Sequence, residues 1–292
     1  MRGNNKKSST KNTAPVAFQG DPGAFSQQAI RQFLGDAAQI LPCQRFEQVF
    51  RALEADQASA AAIPIENTLH GSVHENFDHL LNFDFAIAAE TNVRIVHNLI
   101  AIPGTTFGKV KRVYSHPVAL NQCLDFFAAN PQVEREPFYD TAGSVKMIVE
   151  QGLKDAGAIA SALAAEIYGA RILKRSIEDD RRNYTRFFLL HKRGTPAPPL
   201  ASPPSREHKT TIVFTTRNIP GALFRALSAF ALRDLNLAKI ESRPLRGKPW
   251  EYLFYLDLIG DVSEVRLQKA IGHLEELADF MRVLGSYPAV GG

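Results

Sequence analysis

The chain is short of cysteine, of long apolar runs and of net charge, and each shortage removes a class of protein. Two cysteines in 292 residues, Cys43 and Cys123, are too few for a disulfide framework or a cysteine-based metal site, so a reducing compartment fits, most simply the cytosol. No apolar stretch approaches the ~18 residues that a membrane span needs. There is no His-Glu-x-x-His, no cysteine cluster and no phosphate loop ending in Gly-Lys-Ser/Thr. A Ser-His-Asp system has its residue types but no elbow motif. No metal and no cofactor are therefore expected. The net charge of +4 is matched by Arg2, Lys6, Lys7 and Lys11, which meet no acid within residues 1–14. The remainder is balanced, so the basic character belongs to a tail and argues against nucleic acid as a partner. That tail is rich in Ser, Thr and Asn without an apolar core. It is not a secretory signal, and disorder is expected, with a transit-peptide remnant as the alternative.

Short apolar runs alternate with amphipathic stretches over residues 15–192. Val16–Phe18, Ala58–Ile65, Phe85–Ala89, Val93–Ile102, Val113–Tyr114 and Ala158–Ala160 read as strands. Helices fit near Pro22, over Glu75–Phe83, over Pro117–Ala129 and over Thr141–Gly152. This predicts an α/β unit with a largely parallel sheet. Residues 193–207 hold the proline-rich stretch Gly194–Ser205, a semi-rigid linker. From 208 to 288 the order becomes β-α-β-β-α-β, a ferredoxin-like α+β unit. A unit this small with one open sheet face pairs with another copy, so a homodimer or homotetramer is expected.

Several polar strings stand where strands meet helices, which is where open α/β sheets bind ligands. Gly20-Asp21-Pro22-Gly23-Ala24-Phe25-Ser26 offers close backbone approach and helix-terminal amides, or a plain tight turn. Pro64-Ile65-Glu66-Asn67-Thr68-Leu69-His70-Gly71-Ser72 crowds hydrogen-bonding groups after a buried strand. Glu66 there is a base or an ion-paired structural acid. Tyr114-Ser115-His116-Pro117 and Asp140-Thr141-Ala142-Gly143-Ser144 open helices, where Ser115 and Thr141 cap the backbone or hold a carboxylate. His97, within an apolar run, is a core histidine or a base. Asn183-Tyr184-Thr185-Arg186-Phe187 sets a hydroxyl and a guanidinium before a buried run, facing a cleft or capping a loop. In the C-terminal unit, Asn218-Ile219-Pro220-Gly221-Ala222-Leu223 opens a helix and Glu241-Ser242-Arg243-Pro244 ends a strand. Together they suit a free amino acid, while either one alone reads as turn chemistry or a surface ion pair.

In this order, Gly20-x-x-Gly23-Ala24-Phe25-Ser26, Pro64-Ile65-Glu66-Asn67-Thr68, Ser115-His116-Pro117, Asp140-Thr141-Ala142-Gly143, Asn183-x-Thr185-Arg186-Phe187 and Glu241-Ser242-Arg243-Pro244 resemble prephenate dehydratase over residues 15–288. The C-terminal unit resembles an ACT regulatory domain. The family often has serine where this chain has Thr68, and the turn at Gly23–Ser26 is also close to plant-type arogenate dehydratases. The resemblance implies a two-lobed, periplasmic-binding-protein-like α/β catalytic domain. Its second lobe would span about 96–167, with lobe crossings near Thr91–Val96 and Ala162–Ile172. It implies a monofunctional hydro-lyase turning prephenate into phenylpyruvate without a cofactor, with arogenate as the alternative substrate. A non-enzymatic amino-acid sensor is the rival class. It ties Thr185 to catalysis. Ala24, Ser26, Asn67, Thr68, Ser115, Thr141, Ala142, Gly143, Arg186 and Phe187 become candidate substrate contacts. Arg186 would clamp the side-chain carboxylate or serve a structural ion pair. Phenylalanine would act as an effector at an ACT dimer interface through Asn218, Gly221, Ala222, Leu223, Glu241, Ser242 and Arg243. A plastid stroma is the alternative location for a plant-type chain.

Overall fold

The structure is a computed structural model that describes residues 14–203, 205–245, 247 and 250–290. The tail expected to be disordered falls outside them, apart from its last residue. The first lobe runs β1 (Val16–Gln19), α1 (Phe25–Leu34), β2 (Ile40–Cys43), α2 (Phe46–Glu54), β3 (Ala60–Asn67), β4 (Gly71–Ser72), α3 (His74–Asn82) and β5 (Phe85–Arg94). The second lobe holds β6 (Asn98–Ala101), β7 (Arg112–Ser115), α4 (Pro117–Asn121), α5 (Leu124–Ala128), β8 (Glu134–Pro137), α6 (Thr141–Glu150), β9 (Ala156–Ala160), α7 (Ala162–Ile167) and β10 (Arg171–Lys174). The chain then returns to the first lobe as β11 (Tyr184–Lys192). The strand orders are β2-β1-β3-β11-β5, with β4 beside β3, and β10-β6-β9-β7-β8.

Four expectations need correction. The sheets are mixed, not largely parallel: β3, β11 and β5 pair antiparallel, as do β10, β6 and β9. A strand that leaves one lobe and one that comes back must run in opposite directions. The expected run Val93–Ile102 breaks at Ile95–His97, where the chain changes sheets. There the backbone is held by the returning segment, with Ile95 N–H donating to Asn183 O and Ile177 N–H to His97 O. The second crossing lies at 175–183 and not at Ala162–Ile172, because β10 pairs with β6 and so belongs to the second lobe. The stretch Pro117–Ala129 is also two helices. The Asp179 carboxylate accepts from the amides of Leu124 and Asp125 and starts a new helix there.

The central strands of the first lobe are buried on both faces, which is why they read as unbroken apolar runs. Side chains alternate between two cores. Ala60, Ala62, Phe187 and Leu189 face one, and Ala61, Ile63, Phe188 and Leu190 face the other.

The C-terminal unit runs β12 (His208–Thr215), α8 (Ala222–Ala231), β13 (Leu237–Pro244), β14 (Tyr252–Ile259), α9 (Val265–Leu277) and β15 (Phe280–Pro288), in sheet order β13-β14-β12-β15. Its two helices cover one face. The other face, expected to be open, packs on the first lobe: Val213, Tyr255, Leu284 and Tyr287 share a core with Ile63, Ile87, Phe188 and Leu190. Approach there is close enough that a Cβ on Gly285 would stand 2.5 Å from the Ile87 carbonyl oxygen. The linker is pinned as well, since Ala201 N–H donates to Phe33 O.

Candidate active site

A cavity of about 440 Å³ lies between the two lobes. One wall is the end of β3 and β11, where Thr185 is the register partner of Asn67. This pairing sets the key contact: Asn67 Nδ2 donates to Thr185 Oγ1 at 3.0 Å. The Asn67 carboxamide is oriented by its own loop, since its Oδ1 accepts from the amides of Leu69 and His70. The Thr185 oxygen is thus an acceptor from Asn67, and its own proton is left for the cavity.

Helix starts form other parts of the wall. Phe25 and Ser26 open α1, which no side chain caps. Thr141 opens α6, whose first turn is capped by the Asp140 carboxylate accepting from Gly143 N–H. Such ends favour negative ligand groups. Among the described residues, the cavity lining contains no lysine and no arginine.

Burial shapes the titratable groups. Burial lowers the His97 pKa, so its imidazole is neutral, with Gln122 as its partner at 2.7 Å. Burial also lowers His116. It raises the Asp140 carboxyl against the opposing pull of the Gly143 and Asp21 amides. Across the mouth, Tyr139 donates to Asp21 at 2.5 Å and Lys146 pairs with the same carboxylate. First-lobe Asp21 is thereby tied to the second lobe.

Of the expected contacts, Thr185, Ala24, Ser26, Asn67, Thr141 and Phe187 line the cavity. Thr68, Ser115, Ala142, Gly143 and Arg186 do not. Ser115 is fully buried and donates to Ile159 O, stitching β7 to β9. Thr68 donates to Arg182 O and accepts from Tyr184 N–H, holding the segment before Thr185. Ala142 is fully buried in the core beneath α6. At Gly143 a Cβ would stand 2.7 Å from Asp21 Oδ2, so that position serves lobe contact.

Of the two roles open to Arg186, the structure shows the ion pair and not the carboxylate clamp. Alternation along β11 sends Thr185 and Phe187 to the cleft and Arg186 to the opposite face. There it pairs with Glu90 and Asp257 and donates to Tyr287 Oη at 3.1 Å. Burial opposes its charge, but Asp257, Tyr287 and Glu90 outweigh that and raise its pKa. It binds the C-terminal unit and has no part in the cleft.

Glu66 is likewise an ion-paired residue, 2.7 Å from Lys239 of β13. Cavity residues that sequence reasoning left unassigned include Gln122, His70, His116 and Asp140. His70, His116 and Asp140 stood inside the strings singled out. Gln122 was hidden in an apparently continuous helix, and no sequence signal marks it.

A second, smaller pocket in the C-terminal unit is lined by Asn218, Ala222, Leu223, Trp250, Tyr252 and Phe254. Gly221, with φ 77°, is the left-handed residue that starts α8 beside it. Glu241, Ser242 and Arg243 are not in its lining. Glu241 accepts from Ser72 Oγ at 2.8 Å, and Arg243 pairs with Asp78, both on the first lobe. Ser242 is exposed.

Comparison with known proteins places this geometry. The prephenate dehydratase family model matches residues 16–195, and the ACT domain model matches residues 210–276. Arogenate dehydratase/prephenate dehydratase 1, chloroplastic, of Arabidopsis thaliana is 40% identical over 287 residues, covering 94% of this chain and 71% of the relative. A solved structure described as GqqA, a novel type of quorum quenching acylase, matches with TM-score 0.85 and 36% identity, covering 94% of this chain and 98% of that one. The prephenate dehydratase of Arthrobacter aurescens in complex with L-Phe matches with TM-score 0.83 and 31% identity, covering 95% of this chain and 93% of that one. With both family models aligned in order on the two units that the fold separates, the chain belongs to the prephenate dehydratase family.

Proposed function

We propose that the cleft converts prephenate to phenylpyruvate by decarboxylative dehydration. As the ring carboxylate leaves as carbon dioxide, its bonding electrons enter the ring and expel the hydroxyl at the opposite carbon. The expelled hydroxide takes a proton and departs as water. The observation that carries the reading is Thr185, polarised by Asn67 at 3.0 Å and lining the cavity between the lobes. Its free proton is a hydrogen-bond donor for the leaving oxygen. A threonine hydroxyl is too weak an acid for full transfer, so its contribution is charge stabilisation.

The lack of lysine and arginine in the described lining fits this chemistry. A tight ion pair on the departing carboxylate would stabilise the ground state and slow its loss. The open amides at the start of α1 hold a substrate carboxylate more lightly. Arogenate is the second reading, because the Arabidopsis relative is named for both dehydratases, and Asp140 is the carboxylate in the lining that would meet its ammonium. That relative is chloroplastic by name, which supports a plastid stroma beside the cytosol as the location. The acylase description of GqqA finds no counterpart here: among the described residues, no hydroxyl in the cavity is hydrogen-bonded to an imidazole.

Phenylalanine is the effector in this reading, held in the pocket of Asn218, Ala222 and Leu223, and the L-Phe complex of the Arthrobacter protein supports it. A second copy of the chain would stand beside Phe224 and Leu232, which expose 76% of their surface on and just after α8. The deciding experiment is an assay of the purified chain with prephenate and with arogenate. Release of phenylpyruvate from prephenate, strongly reduced in Thr185→Ala with the fold intact, is expected; turnover of neither substrate would sink the reading.

A further inference from the structure

The hydrogen bonds around Thr185 form a closed circuit whose polarity can be worked out from fixed donors. The amides of Leu69 and His70 can only donate, so the Asn67 atom they meet at 3.0 Å is its oxygen. Asn67 Nδ2 therefore donates, to Thr185 Oγ1 at 3.0 Å and to Asn183 Oδ1 at 2.8 Å. That orients Asn183, whose Nδ2 donates to Gln122 Oε1 at 2.9 Å. Gln122 Oε1 also receives the Nε2 proton of His97. Gln122 then presents its Nε2 protons to His70 Nδ1 at 3.0 Å. His70 closes the circuit with its backbone amide at one end and its ring at the other. It also bridges the lobes, because Gln122 follows α4 in the second lobe while Asn67 and His70 belong to the first.

We propose that His70 is a positioning residue for the reaction, a neutral imidazole whose Nδ1 lone pair holds the Gln122 carboxamide and, through Asn183 and Asn67, keeps the Thr185 proton aimed at the substrate. The circuit admits His70 in one form only. A proton on Nδ1 would confront the Gln122 amide donor, and Gln122 cannot turn over without opposing Asn183 and His97. The proton of the working imidazole is therefore on Nε2.

The kinetic arm of the test rests on the dehydratase reading, and a spectroscopic arm does not. Asparagine at position 70 can supply an acceptor near the place of Nδ1, whereas alanine cannot. His70→Ala is expected to lower kcat about tenfold or more with KM changed less than about threefold, a loss of alignment and not of binding. His70→Asn is expected to recover kcat to within about threefold of the parent. In ¹⁵N-histidine spectra of the full chain, the signal absent from His70→Asn should be that of the Nε2–H tautomer. Equal losses in both variants, parental kcat in His70→Ala, or an Nδ1–H tautomer would each overturn the inference. Absence of turnover in the parent chain would sink only the dehydratase reading, since the tautomer is read without turnover.

Discussion

The first lobe offers one chemistry around Thr185 and the opposite chemistry to the C-terminal unit. Toward the second lobe, around Thr185, it offers neutral amides, hydroxyls and imidazoles, and the described cavity lining holds neither lysine nor arginine. Toward the C-terminal unit it offers full charges. Arg186 binds Glu90 and Asp257, Lys209 binds Glu90, Lys239 binds Glu66, and Arg243 binds Asp78. Neighbouring residues of one strand, Thr185 and Arg186, belong to the two different worlds. The difference teaches how labour is divided. Charge pairs hold units in register but grip too firmly for a group that must depart. Neutral donors orient a substrate without anchoring its leaving carboxylate.

The sharpest way to break the comparison is at Arg186. Arg186→Met leaves Asp257 buried without an ion partner, while Glu90 keeps Lys209, and should cost about 3–5 kcal/mol, read as a lower denaturant midpoint. Adding Asp257→Asn should restore much of it, because the penalty comes from uncompensated charge. A double variant no more stable than Arg186→Met would contradict this account. Next is Thr185→Ala, where loss of the single polarised donor should lower kcat about 10²-fold or more with the denaturant midpoint unchanged. A parallel fall in stability would move Thr185 from the chemical interface to the structural one.

Glu241→Ala is expected to act more gently. It cuts one tie from β13 to Ser72 and leaves that of Lys239, without touching the C-terminal pocket, so phenylalanine should still bind, measured calorimetrically, while half-inhibition shifts about fivefold. Lost binding would return Glu241 to the ligand site. The smallest effect concerns His97. Burial lowers its pKa, so the unfolded chain takes up its proton first and stability is lost as pH falls below the ordinary imidazole value of about 6.5. A midpoint of thermal unfolding that falls between about pH 7 and 5, and falls less in His97→Gln, is the expected outcome. Identical pH profiles would show that another group carries the acid loss.

Much of the fold was legible because its signals are local. The Ala60–Ile65 run announces a strand covered on both faces, and the β-α-β-β-α-β order after the linker follows from period and turn residues alone. The loop Pro64–Ser72 drew notice by its density of hydrogen-bonding groups, and Asn67 and His70 do line the cavity. Arg186 was open to a carboxylate clamp or an ion pair, and strand alternation, which sends neighbours to opposite faces, gives it the ion pair. The face of the C-terminal sheet read as open is closed by the first lobe, a contact between residues more than a hundred positions apart, such as Ile87 and Gly285. Gln122 became visible only when Asp179, from the returning crossing, ended one helix and started another.

By itself the amino-acid order determined the elements, the two-unit division and the strings that gather at the cleft, because periodicity, turn chemistry and capping act over a few residues. The tertiary structure alone decided which face of β11 does chemistry and which holds the C-terminal unit, and how Asn67, Asn183, Gln122 and His70 close one circuit. Hydrogen-bond polarity and charge pairing depend on distances between residues far apart in the chain, and only the folded backbone sets those distances.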